Sequence, residues 1–463
     1  MRGRRGRVLV AAVGGLGVAC LVMASVEAVT WGPPDPLAGL TAPQVLGEAN
    51  ANFTAAQSLT MDGEVSDSGG TYHLDLGVVP ARGCRGTVGY RTKGSVDFVQ
   101  TGLTAYLRPD GTWWTASAGS DGKGVSQLLD DRYLEEADLS DGRMLTPWCD
   151  ELHVTNSDVA WGTLTKGKIT SFHGTRELAL DGAHGQVMYV TDTSKPQITG
   201  FLEPKARGNG DSAEFDVSVG TRVTLEVPSS RHAVDAADFG FTDGLNGTVP
   251  LEDVGGSMVD SVFANLHAAH SVTITGSQVD SGSVFSLDMG FKARQGCAGT
   301  IGFGDNRTIK LVVSGQTVYF NPDDQYWLND ADATGASEII SAQGGRYIKA
   351  PLSDSNLQAI AQVCAIPASI GQSTPLGTST AVKVTPAGLI VGEATTIDGV
   401  TAVPISDGEG DVVYVSDAGR LEIVKDSARG GSYSGSYTFR VNAPVALTAP
   451  PPSDVIAASA LGI

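Results

Sequence analysis

The sequence predicts an α+β protein that consists of two tandem domains of one kind behind an apolar N-terminal segment. Three observations support this fold class. Matches along the chain recur at a constant spacing of 213 residues, as in Gly83-Cys84 and Gly296-Cys297. Each repeat opens with apolar residues at helical spacing and continues with alternating apolar and polar residues, the pattern of half-buried strands. Residues 8–26 carry no charged side chain.

The N-terminal segment predicts export from the cytoplasm. As a helix, residues 8–26 span roughly 28 Å, about the thickness of a bilayer core. We expect residues 1–30 to be a transmembrane anchor or signal peptide, with the N-terminus cytoplasmic and the remainder extracytoplasmic, or secreted after cleavage near Ala28. Cys20 is a weaker alternative, a lipidation site, because Gly17 stands where a larger aliphatic residue is usual. Four arginines precede the apolar run: Arg2, Arg4, Arg5 and Arg7.

The repeated matches set the predicted domain bounds. Residues 31–41 are rich in proline and predict a semi-rigid spacer. The first repeat is expected over 42–245 and the second over 250–455. A single long-period match indicates a duplicated domain rather than a solenoid.

The elements of a repeat follow from its apolar periodicity. In the second repeat an opening amphipathic helix is indicated by Met258, Val262 and Leu266, and alternating strands follow it. Asp110-Gly111 and Asp323-Asp324 lie between apolar runs and predict hairpin turns. Helices are also predicted over about 125–152 and 352–366. This order predicts one long antiparallel sheet per repeat, with helices packed on one of its faces.

Charge and motifs exclude several functions. The chain has 31 Lys and Arg against 51 Asp and Glu, a net charge of −20 that disfavours a nucleic-acid partner. The common hydrolase, metalloprotease and phosphate-loop signatures are absent, so no catalytic residue and no cofactor is predicted, and the chain is not expected to be an enzyme. His267 and His270 have helical spacing but no carboxylate neighbour, so an exposed helix face is favoured over a metal site.

Four of the five cysteines form two equivalent pairs, Cys84 with Cys149 and Cys297 with Cys364. In an exported chain this pattern favours one disulfide in each domain. Free buried cysteines are the alternative. Zinc ligation does not fit, because no second Cys or His lies at the short spacing of zinc sites.

The second repeat carries a wider resemblance. Its opening helix, the strand over 271–275, the Asp398-Gly399-Val400 turn and the closing run over 437–450 together resemble the actinobacterial LppX/LprG-type lipoproteins, which are similar in fold to the LolA and LolB carriers. The resemblance implies that each sheet is a curved half-barrel wrapped on helices. It also implies an apolar cavity for the acyl chains of cell-envelope lipids.

Two functions are therefore expected. The first is a non-catalytic, membrane-anchored extracytoplasmic protein that binds an envelope lipid or glycolipid and contacts the cell membrane through residues 8–26. The alternative is a sensor, regulatory or structural envelope protein, similar to the RseB type, that uses the fold without a lipid. The apolar faces of the early strands are expected to line the cavity, or else simply to form the core. Their residues are Tyr72, Leu74, Leu76, Phe285, Leu287, Met289, Leu311 and Val313.

Overall fold

The computed structural model describes residues 35–67, 70–136, 163–172, 175–204, 212–240, 254–304, 306–330, 333–353, 362–370, 388–417, 419–430 and 433–462. The apolar run 8–26 and Cys20 lie outside these residues. No helix within them is long and apolar enough to cross a bilayer.

The chain divides into two compact units. The first comprises Met1–Ser117, Asp131–Ala236 and Phe241–Val249, and the second comprises Ala118–Asp130, Ala237–Gly240 and Pro250–Ile463. The predicted domain bounds, 42–245 and 250–455, stay a prediction.

The elements up to residue 239 contain one 12-stranded sheet, in the order β12-β6-β5-β4-β3-β2-β1-β11-β10-β9-β8-β7. A 3₁₀ turn over Ala236–Phe239 ends this part of the chain. The helices are α1 (Ala42–Thr54), α2 (Gly111–Ala118) and α3 (Asp121–Leu129). The strands are β1 (Leu59–Asp67), β2 (Gly70–Val79), β3 (Gly83–Tyr90), β4 (Gly94–Thr101), β5 (Thr104–Pro109), β6 (Tyr133–Glu136), β7 (Thr165–Phe172), β8 (Thr175–Asp181), β9 (Val187–Thr191), β10 (Ile198–Glu203), β11 (Ser212–Val219) and β12 (Ala233–Asp235).

The second sheet has the order β19-β21-β22-β23-β24-β13-β14-β15-β16-β17-β18-β25, and β20 pairs with β21 beside this path. The helices are α4 (Val254–Ala268), α5 (Asp324–Asp330), α6 (Ala333–Gln343) and α7 (Ile366–Ser369). The strands are β13 (Ser271–Asp280), β14 (Ser283–Lys292), β15 (Gly296–Phe303), β16 (Arg307–Ser314), β17 (Thr317–Pro322), β18 (Tyr347–Pro351), β19 (Ile390–Val391), β20 (Thr395–Ile397), β21 (Val400–Ser406), β22 (Val412–Asp417), β23 (Leu421–Gly430), β24 (Tyr433–Val441) and β25 (Val455–Ala457).

The two sheets share one topology, which confirms the duplication that the sequence predicts. In each, the first strand of the repeat lies between the second strand and the last long strand, as β1 lies between β2 and β11 and β13 lies between β14 and β24. In each, a short late strand pairs in parallel with the strand that ends the first run, as β12 pairs with β6 and β25 with β18. Both sheets are open and antiparallel apart from this pair.

The opening helices lie where the sequence predicts them. Helix α1 begins with a capping box between Thr41 and Gln44, and the backbone N–H of Thr41 donates to the Gln44 side chain at 2.8 Å. Helix α4 buries Met258, Val262 and Leu266 and contacts β22 and β23. Isolated helices of 13 and 15 residues are marginal in water, so burial of one apolar stripe against the sheet stabilises them.

The predicted hairpin turns after β5 and β17 are wrong, because these segments begin helices. Asp110 precedes α2, and its Oδ1 accepts a hydrogen bond from the Trp113 backbone N–H at 2.7 Å. Asp323 precedes α5 and accepts from the Tyr326 N–H at 2.8 Å. An aspartate before a helix satisfies backbone donors that the first helical turn leaves free, so the same residue type serves a turn or a cap.

The predicted later helices are correct only in part. Over 125–152 the structure has the end of α3 and then strand β6, where Leu134 is buried between two half-buried neighbours. Residues 137–162 lie outside the described part of the chain. Over 352–366, residues 352–353 form a turn, 362–363 are helical, 364–365 form a turn and α7 begins at Ile366, whereas 354–361 lie outside the described residues.

The predicted disulfide of the second repeat is present. Cys297 and Cys364 are joined, with their Cα atoms 5.4 Å apart and a sequence separation of 67. In the first repeat Cys84 is fully buried and disulfide-bonded. Cys149 lies outside the described residues, so the pairing of Cys84 with Cys149 stays a prediction.

Candidate functional site

One buried face of the second sheet carries both candidate sites. On β13 this inner face consists of Val272, Ile274, Gly276 and Gln278, because alternate residues of a strand point to one side. The partners of these residues on β14 are Phe291, Met289, Leu287 and Phe285. The sheet therefore presents an apolar stripe that ends in a polar side chain, Gln278.

The predicted lining residues lie mainly in the core. Leu74, Leu76, Leu287, Met289 and Leu311 are each at most 3% exposed. Tyr72 and Val313 are also buried, and Phe285 is half-buried. Of the eight, only Val313 lines the cavity described next. Ligand contact by any of them stays a prediction.

A cavity of about 620 Å³ lies at the end of the inner face where α4 ends and β14 turns into β15. Apolar side chains form much of its wall: Leu266, Val272, Phe291, Val313 and Leu352. On the opposite side the wall continues through Cys364, Ala365, Pro367 and Ala368. The Cys297–Cys364 disulfide joins these two sides, because Cys297 lies on β15.

Two residues with cationic side chains are among those that line the same cavity. Lys292 is the last residue of β14, Arg294 belongs to the turn between β14 and β15, and within the described part of the chain neither forms an ion pair with a carboxylate. His267 also contributes, and its Nε2 lies 2.9 Å from the Ile370 carbonyl oxygen. Apolar walls with a few polar groups at one side are typical of pockets for amphiphilic small molecules.

A second site lies at the other end of the inner face, and the sequence did not predict it. The hydroxyls of Tyr433 and Tyr437 both donate to Oε1 of Gln278, at 3.2 and 3.0 Å. Asp426 is paired in register with Tyr437, so its side chain shares their face. We call Gln278, Asp426, Tyr433 and Tyr437 the polar cluster.

The buried carboxyl of Asp426 has an unusual environment. Its side chain is 9% exposed, and its Oδ1 accepts no hydrogen bond. Burial, reinforced by the charge of Asp411, raises the pKa of Asp426 to about 7. Burial also raises the pKa of Tyr433 to about 12 and raises that of Tyr437, and the Asp426 charge contributes to both increases.

The first sheet has an apolar set at the same positions. By strand register, Val65 matches Gln278, Phe215 matches Tyr437 and Phe201 matches Asp426. Val65 and Phe215 are buried and Phe201 is half-buried. The 213-residue repeat alone points to the Val65 and Gln278 pair, whereas Asp426 follows a change of spacing and needs the strand pairing to be matched.

The two histidines considered in the sequence analysis lie at the end of the opening helix of the second repeat. His267 and His270 are exposed on and just after α4, in agreement with the prediction. In the described ranges no three potential metal-ligating side chains lie together.

Comparison with solved structures finds partial matches that include two mycobacterial lipoproteins. No family model and no curated protein matches the chain. LprF from Mycobacterium bovis is 13% identical, and the match covers 41% of this chain and 97% of LprF at a TM-score of 0.30. Mycobacterium tuberculosis lipoprotein LppX is 11% identical, with 40% and 99% covered and a TM-score of 0.28. The Pseudomonas aeruginosa MucA/MucB structure is 10% identical, with 60% and 87% covered and a TM-score of 0.21. These likenesses include the group that the sequence resembles, and at such scores they say nothing of the ligand.

Proposed function

We propose that this chain is a non-catalytic protein of the extracytoplasmic membrane surface that binds the acyl chain of an envelope lipid. The observation that carries the proposal is the cavity of about 620 Å³ in the second unit. Its size falls within the range of known small-molecule sites, roughly 300–1,000 Å³. Leu266, Phe291 and Val313 supply hydrocarbon-like wall that favours an apolar chain over water.

The cavity has the polarity that an amphiphile needs. Lys292 and Arg294 have no ion-pair partner in the described residues, so they are available to the polar end of a bound lipid. The two residues form a small positive patch on a chain whose net charge is −20. An acyl chain held by the apolar wall with its head group at these cations fits both features.

The proposed location rests on the chain's own sequence. Residues 8–26 and the four preceding arginines suit a membrane anchor with an outward-facing remainder. The Cys297–Cys364 disulfide suits an oxidising compartment.

Organic extraction of the purified full chain, followed by lipid mass spectrometry, tests the proposal. Wild-type protein should release a lipid in roughly equimolar amount. In Ala368→Trp, the indole fills part of the cavity from an exposed wall position, and the released lipid should fall several-fold.

The matched control is Ala342→Trp, an exposed alanine near the end of α6 that does not line the cavity. It should release as much lipid as wild type. A wild-type extract without lipid, or equal release from both tryptophan variants, would reject lipid binding in this cavity and favour the protein-interaction alternative.

A further inference from the structure

We propose that the polar cluster of Gln278, Asp426, Tyr433 and Tyr437 is a binding site for the primary ammonium group of a small amine. The cluster lies at the opposite end of the inner face from the acyl cavity, since Val272 and Gln278 are six residues apart on one strand, roughly 20 Å. The proposal therefore does not rest on lipid binding.

The hydrogen-bonding groups of the cluster leave mainly acceptors unused. Each tyrosine hydroxyl donates its single proton to Gln278 Oε1, so each phenol oxygen can only accept further hydrogen bonds. Asp426 Oδ1 is buried and accepts nothing. The amide NH₂ of Gln278 is the remaining donor group of the cluster. The phenol oxygens and Asp426 Oδ1 are acceptors, which suit an ammonium group with its three donors.

The charges around the cluster also favour a cation. The charge of Asp411 acts on both Asp426 and Tyr433, and the charges of Asp426 and Asp280 also act on Tyr433. Lys425 precedes Asp426 on β23 and so points to the other face, where its Nζ lies 5.5 Å from the Tyr414 ring centroid. Arg429 is three residues beyond Asp426, also on the other face, and is exposed.

The structure around the cluster is built to hold these groups in place. The ring of Tyr437 lies against Gly276, where an added Cβ would come within 2.8 Å of the ring atom Cδ1. Gln278 lies against Gly435, where a Cβ would come within 2.8 Å of the glutamine Cβ. The backbone thus makes room for both side chains.

Packing alone does not explain the cluster. The first sheet fills the equivalent positions with Val65, Phe201 and Phe215, so the fold does not require polar groups there. An unpaired buried carboxylate costs several kcal/mol unless a partner compensates it. Asp426 accepts a backbone hydrogen bond from Ser427, but its buried Oδ1 has no partner among the described residues, and a cationic ligand would complete the pair.

Calorimetric titration of the full chain with butylammonium chloride at pH 8 tests the proposal. The amine should bind, and 1-butanol, which has the same chain but no charge, should bind at least about tenfold more weakly. Asp426→Asn, which keeps the shape and removes the charge, should lower the amine affinity at least about tenfold. At pH 5.5 the wild-type affinity should fall as well, because the carboxyl then holds a proton that competes with the ammonium.

Asp288→Asn is the matched control. Asp288 is an exposed carboxylate on the opposite face of the same sheet, and its loss should leave amine binding unchanged. Absence of wild-type binding, equal binding by butanol, or equal affinity of wild type and Asp426→Asn would overturn the proposal.

Two further variants test the proposal independently of Asp426→Asn. If Asp426→Asn does not fold, Tyr437→Phe keeps the carboxylate, removes one acceptor and should weaken amine binding several-fold. The triple variant Gln278→Val, Asp426→Phe and Tyr437→Phe installs the first sheet's residues and should bind no butylammonium. Lipid release on organic extraction should stay at the wild-type level in Asp426→Asn, so failure of either proposal is visible separately.

Discussion

At the scale of single residues, Asp426 makes the stability of the second unit depend on pH. Its pKa is about 7 in the folded chain against the ordinary aspartate value of 3.8, so folding favours the protonated carboxyl. A raised pKa contributes stability that is fully present below the unfolded pKa and is lost as the pH rises through the folded one. The cost develops between about pH 4 and pH 7 and is on the order of 4 kcal/mol.

Asp426→Asn should remove this dependence. Relative to wild type, the variant should gain unfolding free energy as the pH rises from 4 to 7.5, because asparagine stays neutral throughout. Denaturant unfolding at several pH values measures the difference in unfolding free energy between the variant and wild type. The contributions of the other carboxylates cancel in this difference. Asp288→Asn, at an exposed position, should give a flat difference, and a flat difference for Asp426→Asn would show that the buried carboxyl is not destabilised.

At the residue scale the sequence predicts which side chains share a strand face, but not that Asp426 is buried. Alternation correctly predicts that Leu287 and Met289 share one face with Phe285, since that is a local property of a strand. Burial of Asp426 depends on which face β13 and β24 turn inward, and β24 follows β13 by more than 150 residues. The sequence shows an aspartate between two polar neighbours, Lys425 and Ser427, and nothing local distinguishes it from an exposed one.

At the scale of elements, each sheet is tied to its following helix by one aspartate. Asp323 Oδ1 accepts from the Tyr326 N–H, and its Oδ2 accepts from both the N–H and the hydroxyl of Thr308 on β16, at 2.8 Å. Asp110 makes the same set of contacts with Trp113 and Ser95 in the first repeat. The repeated matches at Asp110 and Asp323 therefore mark a strand-to-helix junction.

Asp323→Ala should lower the unfolding free energy by about 2 kcal/mol, the upper part of the range for loss of a helix cap, because backbone donors on both α5 and β16 lose their acceptor. Asp324→Ala, one residue further into the first helical turn and exposed, should cost well under half of that. Thermal and denaturant unfolding measure both variants. Equal losses for the two would mean that only first-turn charge is involved.

Sequence periodicity predicted the long opening helices but not α2 and α5. Helices α1 and α4 have several apolar residues at helical spacing, which is a strong local signal. Helix α5 has only seven residues, and its start is marked by a capping aspartate whose acceptors are used by a neighbouring strand. The choice between a turn and a cap is made by that long-range contact.

At the scale of the whole molecule, the disulfide links chain segments that are distant in sequence and form one cavity. Closing a loop of 67 residues removes unfolded-chain entropy worth about 4 kcal/mol in the simple chain-entropy model. Cys297→Ser with Cys364→Ser should lower the unfolding free energy by about 2–5 kcal/mol. It should also reduce lipid release on extraction, because Cys364 belongs to the cavity wall.

Denaturant unfolding of oxidised wild type and of the double serine variant measures this loss, and a non-reducing peptide map verifies the bond. Wild type in a strong thiol reductant should lose at least as much unfolding free energy as the variant, because the disulfide of Cys84 is reduced as well. An unchanged unfolding free energy in the variant would show that the bond does not constrain the chain.

The cavity itself is a property that only the complete fold reveals. Val272, Phe291 and Val313 come from three strands, and Cys364 comes from a segment more than 50 residues further along. The sequence predicts the repeat, the sheet and the cysteine pair, each from spacing. It does not reveal where the sheet and the segment around Cys364 leave space between them, because that depends on how distant parts pack.

The parallel pairing of β25 with β18 has a consequence for solubility. Strand β18 would otherwise present free backbone N–H and C=O groups along one side, a template on which the strand of another molecule can pair. Three residues, Val455, Ile456 and Ala457, occupy that side. The first sheet is protected in the same manner where Ala233–Asp235 covers β6. Because these short strands pair with β18 and β6, the strand of another molecule cannot pair there, which disfavours aggregation.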